Sequence, residues 1–127
     1  MNILEENDLF VFWEEDGIFC SCFKKPTVDI EIAKKSVEAR LRLTNSQPCK
    51  LFIDIRNLKY ISQSARVYSA SIESTQFAQA CAILAPSMIT KLIANFFMSF
   101  NKPNLPTQIF TSKEKAFEWL NKEETKR

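Results

Sequence analysis

No histidine occurs anywhere in the chain, and glycine occurs only once. The first absence removes the commonest general base and every His-dependent catalytic triad. It also takes His out of any zinc set. None of the four cysteines, Cys20, Cys22, Cys49 and Cys81, stands in C-x-x-C spacing with another. The second absence rules out a glycine-rich phosphate loop, because Gly17 follows Asp16 at a two-residue hairpin turn. No paired-carboxylate motif stands out along the chain. These absences predict a non-enzymatic protein with no cofactor and no metal site.

Charge of one sign is also missing. The chain has 17 basic and 15 acidic residues, a net charge of +2, so it has no dense basic face for nucleic acid. Lys24-Lys25 and Lys34-Lys35 are short pairs with acidic residues between them. The most apolar stretch, residues 83–100, is interrupted by Pro86, Lys91 and Asn95. It reads as a buried helix rather than a membrane span. The start, Met1-Asn2-Ile3-Leu4-Glu5-Glu6, lacks the basic and then apolar composition of a secretory signal. A cytoplasmic location and reduced, buried thiols are the expectation.

What the chain does have is apolar bulk. Eleven Phe and two Trp within 127 residues supply enough area for the core of one domain. Residues 8–15 alternate as a strand, with Leu9, Val11 and Trp13 on one face and Phe10 and Phe12 on the other. Residues 18–24 form the return strand, with Cys20 and Cys22 sharing a face. Pro26 ends the run, and Asp29 caps a helix on which Ile30, Ala33, Val37 and Leu41 recur. Residues 50–55 and 80–85 read as buried strands. Between them Ser62 caps a helix carrying Ala65, Tyr68, Ser69 and Ile72 on one side. A third helix is predicted over residues 88–100, and a short strand over residues 108–110. Thr111 and Glu114 have capping-box spacing for a last helix with Ala116, Phe117 and Leu120. The order is ββαβαβαβα. The predicted fold class is α/β, a mixed sheet of about five strands with about four helices in one layer pair.

The segment from Phe52 to Arg66 carries the functional expectation. In an α/β sheet, ligands and partners meet the chain beyond the carboxyl ends of strands. Asp54 and Arg56 lie at such an end, and the loop then feeds a helix start. This strand, loop and helix resemble those of STAS domains, the anti-sigma-factor antagonist family. In that family the helix opens on an Asp-Ser-Ser-Gly run. Ser62-Gln63-Ser64-Ala65 occupies the same four positions. Ser64 falls where those regulators carry a kinase-phosphorylated serine, and the resemblance makes it a candidate phosphosite. Ser62 replaces the Asp, Gln63 the first Ser and Ala65 the Gly, so the resemblance bears on fold more than on the switch.

A wider resemblance rests on Trp13-Glu14-Glu15-Asp16-Gly17-Ile18, Val37-Glu38-Ala39-Arg40-Leu41, Asp54-Ile55-Arg56, the run from Asn95 through Pro103, Thr107 to Phe110, and Glu118-Trp119-Leu120. These segments are similar to the small stand-alone STAS/Sec14-like, or SpoIIAA-like, proteins of Bacteroidetes-type bacteria. The resemblance implies a SpoIIAA-like fold, and by analogy lipid-like or apolar ligand binding.

Ile89, Leu92, Ile93, Phe96, Phe97 and Phe100 spread around more of the helical wheel than one sheet face can bury. Lys91, Asn95, Asn101 and Lys102 would rim such a patch. The expected function is a regulatory module that binds another protein or itself. Asp54, Arg56, Ser62, Ser64, Arg66, Asn95 and Lys102 would supply polar complementarity, and Phe96, Phe97 and Phe100 burial. The alternative is a carrier or sensor of a small apolar ligand, with a cavity lined by Phe97, Phe100 and Tyr68.

Overall fold

Asp16 and Gly17 both take positive φ, 54° and 75°. That geometry joins strands whose twist matches it. It links β2 (Phe10–Glu15) to β3 (Ile18–Phe23), with Glu15 opposite Ile18. A Cβ at position 17 would meet nothing within 4 Å, so only the backbone demands glycine here. Gly17→Ala should therefore cost about 1–2 kcal/mol, the penalty of a left-handed L-residue. Urea denaturation measures it, and an unchanged midpoint would contradict the turn geometry.

The coordinates are those of a computed structural model and describe residues 2–86 and 105–123. The main sheet has six strands in the order β1-β2-β3-β5-β7-β8. Here β1 is Asn2–Glu6, β5 Cys49–Asp54, β7 Ala78–Leu84 and β8 Thr107–Phe110. The first three strands run antiparallel, and β3, β5, β7 and β8 pair in parallel. A separate two-stranded pair, β4 (Thr27–Val28) with β6 (Tyr60–Ile61), ties the two loops at the carboxyl end of the sheet. The helices are α1 (Ile30–Leu43), α2 (Gln63–Ser69), α3 (Ile72–Thr75) and α4 (Lys113–Lys122).

The mixed α/β sheet is the expected one, with more strands than about five. β1 is added at an edge, where Asn7 caps the turn into β2 by accepting from the Leu9 and Phe10 amides at 2.8 and 3.1 Å. Ion pairs Glu5–Arg42 and Glu6–Lys24 hold it down. The predicted second helix is two helices. Ser71 takes the backbone away from the helix, its hydroxyl accepting from the Ser74 amide and donating to the Tyr68 carbonyl. Ile72, expected on one side of the predicted helix with Ala65, Tyr68 and Ser69, instead opens α3 and is 83% exposed. The last helix is capped by Ser112, which accepts from the Lys115 amide, and not by Thr111. Asp29 caps α1 as expected, accepting from the Ile32 amide at 2.9 Å.

Alternation along the strands sends side chains to two cores. On one face Trp13, Ile18, Cys20, Phe52, Ala80, Ala82 and Leu84 meet Ala116, Phe117 and Leu120 of α4. On the other, Phe10, Phe12, Phe19, Leu51 and Cys81 meet Ala39 of α1. Ala33 of α1 joins Ile55, Leu58, Ile61 and Ala65 toward the carboxyl end. The predicted helix over residues 88–100, and with it Asn95, Phe96, Phe97, Phe100 and Lys102, lies outside the described residues.

Candidate functional site

β5 ends on Asp54, a buried carboxylate that the chain immediately turns back on. It accepts from the Arg56 amide at 3.0 Å and from the Arg56 guanidinium at 2.8–3.2 Å. That hydrogen bonding, with the attached charge attraction, raises the Arg56 pKa. The guanidinium itself stays more than half exposed. The loop beyond is held by the Pro26 carbonyl, which accepts from the Lys59 and Tyr60 amides at 2.7 and 3.1 Å.

Ser62 then caps α2, accepting from the Ala65 amide at 3.1 Å. Its hydroxyl lies 3.2 Å from that of Ser64, which is exposed. Arg66 donates from Nη1 to the Ile61 carbonyl at 2.7 Å. Of the five described candidates, Asp54 and Arg56 pair at the end of β5, while Ser62, Ser64 and Arg66 stand at the start of α2. Asp54 and Arg66 are engaged within the chain; Arg56 is both paired to Asp54 and exposed, and Ser64 is exposed beside Ser62. Ser64 lines a shallow concavity between α1 and α2 with Ile30, Lys34, Val67, Tyr68 and Glu73.

A second site lies under α1. An apolar cavity of about 180 Å³ is bounded by Phe12, Phe19, Leu51, Ile53, Cys81 and Ile83 of the sheet. Ala33, Val37 and Arg40 of α1 and Ser69, Ala70 and Ser74 roof it. Tyr68, expected to line an interior cavity, instead lines the outer concavity, because it faces Lys34 across the α1–α2 groove. The Phe97 and Phe100 part of that expectation lies outside the described residues.

Arg40 is the residue that the apolar pattern hid. It is only 7% exposed. Nη1 donates to the Ser74 carbonyl at 3.0 Å and Nη2 to the Gln76 carbonyl at 2.6 Å. Its Nε is buried without a hydrogen-bond partner. Burial presses its pKa down. The bend it holds is strained: Phe77, next in the chain, has φ of 64°, a left-handed value rare for a bulky residue. The signal for Arg40 was present in the spacing. Positions 33, 37 and 40 form one helical stripe, and the third of them is an arginine.

The four thiols are free. Burial pushes Cys81 and Cys20 up to about 12, and raises Cys22 and Cys49 as well. Among the described residues no three His, Cys, Asp or Glu side chains gather as a metal would need. No described helix is long and apolar enough to cross a membrane.

The sheet order and the helices on its two faces define a protein of SpoIIAA-like fold. A crystal structure of an uncharacterised DUF3478-family protein with that fold, from Shewanella loihica PV-4, superposes with a TM-score of 0.68. The match covers 91% of this chain and 97% of the other at 13% identity. The chain belongs to the family described as a domain of unknown function, DUF7793, which it matches over residues 12–124. No curated protein matches it.

Proposed function

We propose that this domain is a non-enzymatic regulatory module of the cytoplasm that binds another protein, or a second copy of itself, through the exposed side chains of the segment from β6 to α3. The observation that carries this reading is apolar surface left in water there. Val67 of α2 is 54% exposed, Ile72 at the start of α3 83% and Tyr60 of β6 56%, and the same stretch of chain carries the exposed polar groups of Arg56, just before β6, and Ser64. An apolar centre with a polar rim is the composition of a protein contact. The four free thiols support a reducing compartment.

The test is the double substitution Val67→Glu and Ile72→Glu. Both side chains are solvent-facing, so stability should move by less than about 0.5 kcal/mol. Self-association by analytical ultracentrifugation, or binding of a partner isolated from the native host, should fall at least tenfold. Unchanged association in both assays would remove this surface of α2 and α3 as the contact.

A second reading is favoured by the cavity under α1. A largely apolar space of that kind supports a carrier or sensor of a small apolar molecule.

A further inference from the structure

One serine interrupts the apolar sheet floor of the cavity under α1. On β3, Phe19, Ser21 and Phe23 alternate onto that face and line the cavity. Ser21 stands in register with Phe12 on one side and Ile53 on the other. It lies on an interior strand of the sheet and is still only partly buried, as are Ile53 and Ile83 on the next two strands. The hydroxyls of Ser36, Thr75 and Thr107, which also line the cavity, each donate to a carbonyl of their own segment. The Ser21 hydroxyl makes no hydrogen bond among the described residues. A serine at this position leaves space that a larger side chain would fill. It also leaves both a donor and an acceptor on the floor of that space.

The charge of an occupant follows from what the wall withholds. No described Asp or Glu lines the cavity, so a cation would find no counter-charge. Arg40 has both Nη atoms engaged by the Ser74 and Gln76 carbonyls, and its Nε is shut inside the protein. An anion would therefore find no free charged donor, and burying an unpaired charge is costly. An apolar cavity of about 150 Å³ admits a molecule of benzene's size. The cavity here, about 180 Å³, suits a body of roughly six to ten non-hydrogen atoms. A lone hydroxyl on an apolar floor gives a water molecule too few partners, whereas an organic molecule gains from the floor and the hydroxyl together.

We propose that the cavity under α1 binds a small uncharged molecule with an apolar body and one oxygen function, an alcohol or a carbonyl, hydrogen-bonded to the Ser21 hydroxyl. The proposal rests on the second reading above, the cavity as a ligand site, and goes further by assigning the ligand's charge, size and anchor.

Toluene, benzyl alcohol and benzoate share a ring and differ in their polar group. Each is titrated into the full chain, with the methyl resonances of Ile53 and Ile83 reporting the site. Toluene and benzyl alcohol should shift both resonances, and benzoate should bind at least tenfold more weakly than benzyl alcohol. Ser21→Ala should weaken benzyl alcohol at least fivefold, because the bound hydroxyl loses its partner within an apolar wall. The same variant should leave toluene unchanged. Ser21→Leu should abolish binding of both neutral probes by filling the space. Circular dichroism verifies the fold of each variant; if Ser21→Leu does not fold, Ser21→Ala and the unaltered chain decide. An equal effect of Ser21→Ala on toluene and benzyl alcohol would overturn the anchor and leave a wholly apolar site. Benzoate binding as tightly as benzyl alcohol would overturn the assignment of charge. Binding of neither neutral probe, or binding that leaves both methyl resonances still, would overturn the cavity reading itself.

Discussion

Raising the pH from 9 to 12 should strip several kcal/mol of stability from this protein, with Cys20 and Cys81 responsible for most of the loss. Both thiols are buried, and desolvation of the thiolate is the main cause that lifts each from 9.0 to about 12. Glu15 adds to the rise at Cys20, whereas Arg40 opposes it at Cys81. Below pH 9 both the native and the unfolded chain hold these protons, and the thiols' contribution is complete. Between pH 9 and 12 the unfolded chain releases them first. The native state then binds more protons, so stability falls as pH rises. The slope is about 1.4 kcal/mol per pH unit for each thiol. Over that window each can remove up to about 4 kcal/mol, against a total of about 5–15 for an ordinary domain. Urea midpoints at pH 7.5, 9 and 10.5 measure the effect. The Cys20→Ala/Cys81→Ala variant should show a much flatter alkaline limb, and parallel limbs would sink the assignment.

Phe52→Ala should cost about 3–5 kcal/mol, the range for a phenylalanine deleted from a packed core. Phe52 is fully buried in β5, with Cys20 and Ala82 as its cross-strand neighbours. Its ring stands edge-on to Phe117 of α4, 5.0 Å between centroids. The neighbours that could close the gap, Ala80, Ala82 and Ala116, are already small. A void is therefore left, and the attachment of α4 weakens. That helix is also held by Leu120, whose carbonyl accepts from Lys50 Nζ at 2.7 Å, by the Lys113–Glu15 ion pair and by Trp119 against Phe110. Denaturant unfolding is the measurement, and a loss below about 1.5 kcal/mol would mean that the ring does not organise this face.

Features written by local pattern were legible in the sequence. The Asp16-Gly17 turn, the alternation through Phe10 and Trp13, the stripe of α1 and the apolar runs of β5 and β7 each announce themselves within a few residues. Features decided by distant partners were not. β4 and β6 are two residues each and are placed by amides reaching the Pro26 and Val28 carbonyls. β1 has no alternating pattern and depends on Asn7, Arg42 and Lys24 to lie against β2.

The candidate site divides in the same way. Asp54 and Arg56 could be placed together because they are two residues apart at a strand end. That Arg66 turns back to Ile61, and that Tyr68 faces Lys34 at the margin of the core, is set by how α2 lies on α1. Arg40 was hidden by its residue type. An arginine on a buried stripe is discounted as a surface residue until its partners, Ser74 and Gln76, arrive from more than thirty positions away.

The short first strand also forms one edge of the main sheet. Its outer margin is interrupted by a bulge between Ile3 and Glu5 and carries Glu5 and Glu6. Both glutamates are paired, to Arg42 and Lys24, so it is the irregularity of this border that opposes strand addition by a neighbouring molecule. Without residues 2–6 the border would pass to β2, six uninterrupted residues rich in Phe and Trp. Such a border is a template for intermolecular sheet growth. The bulged first strand thus covers the edge that such growth would use.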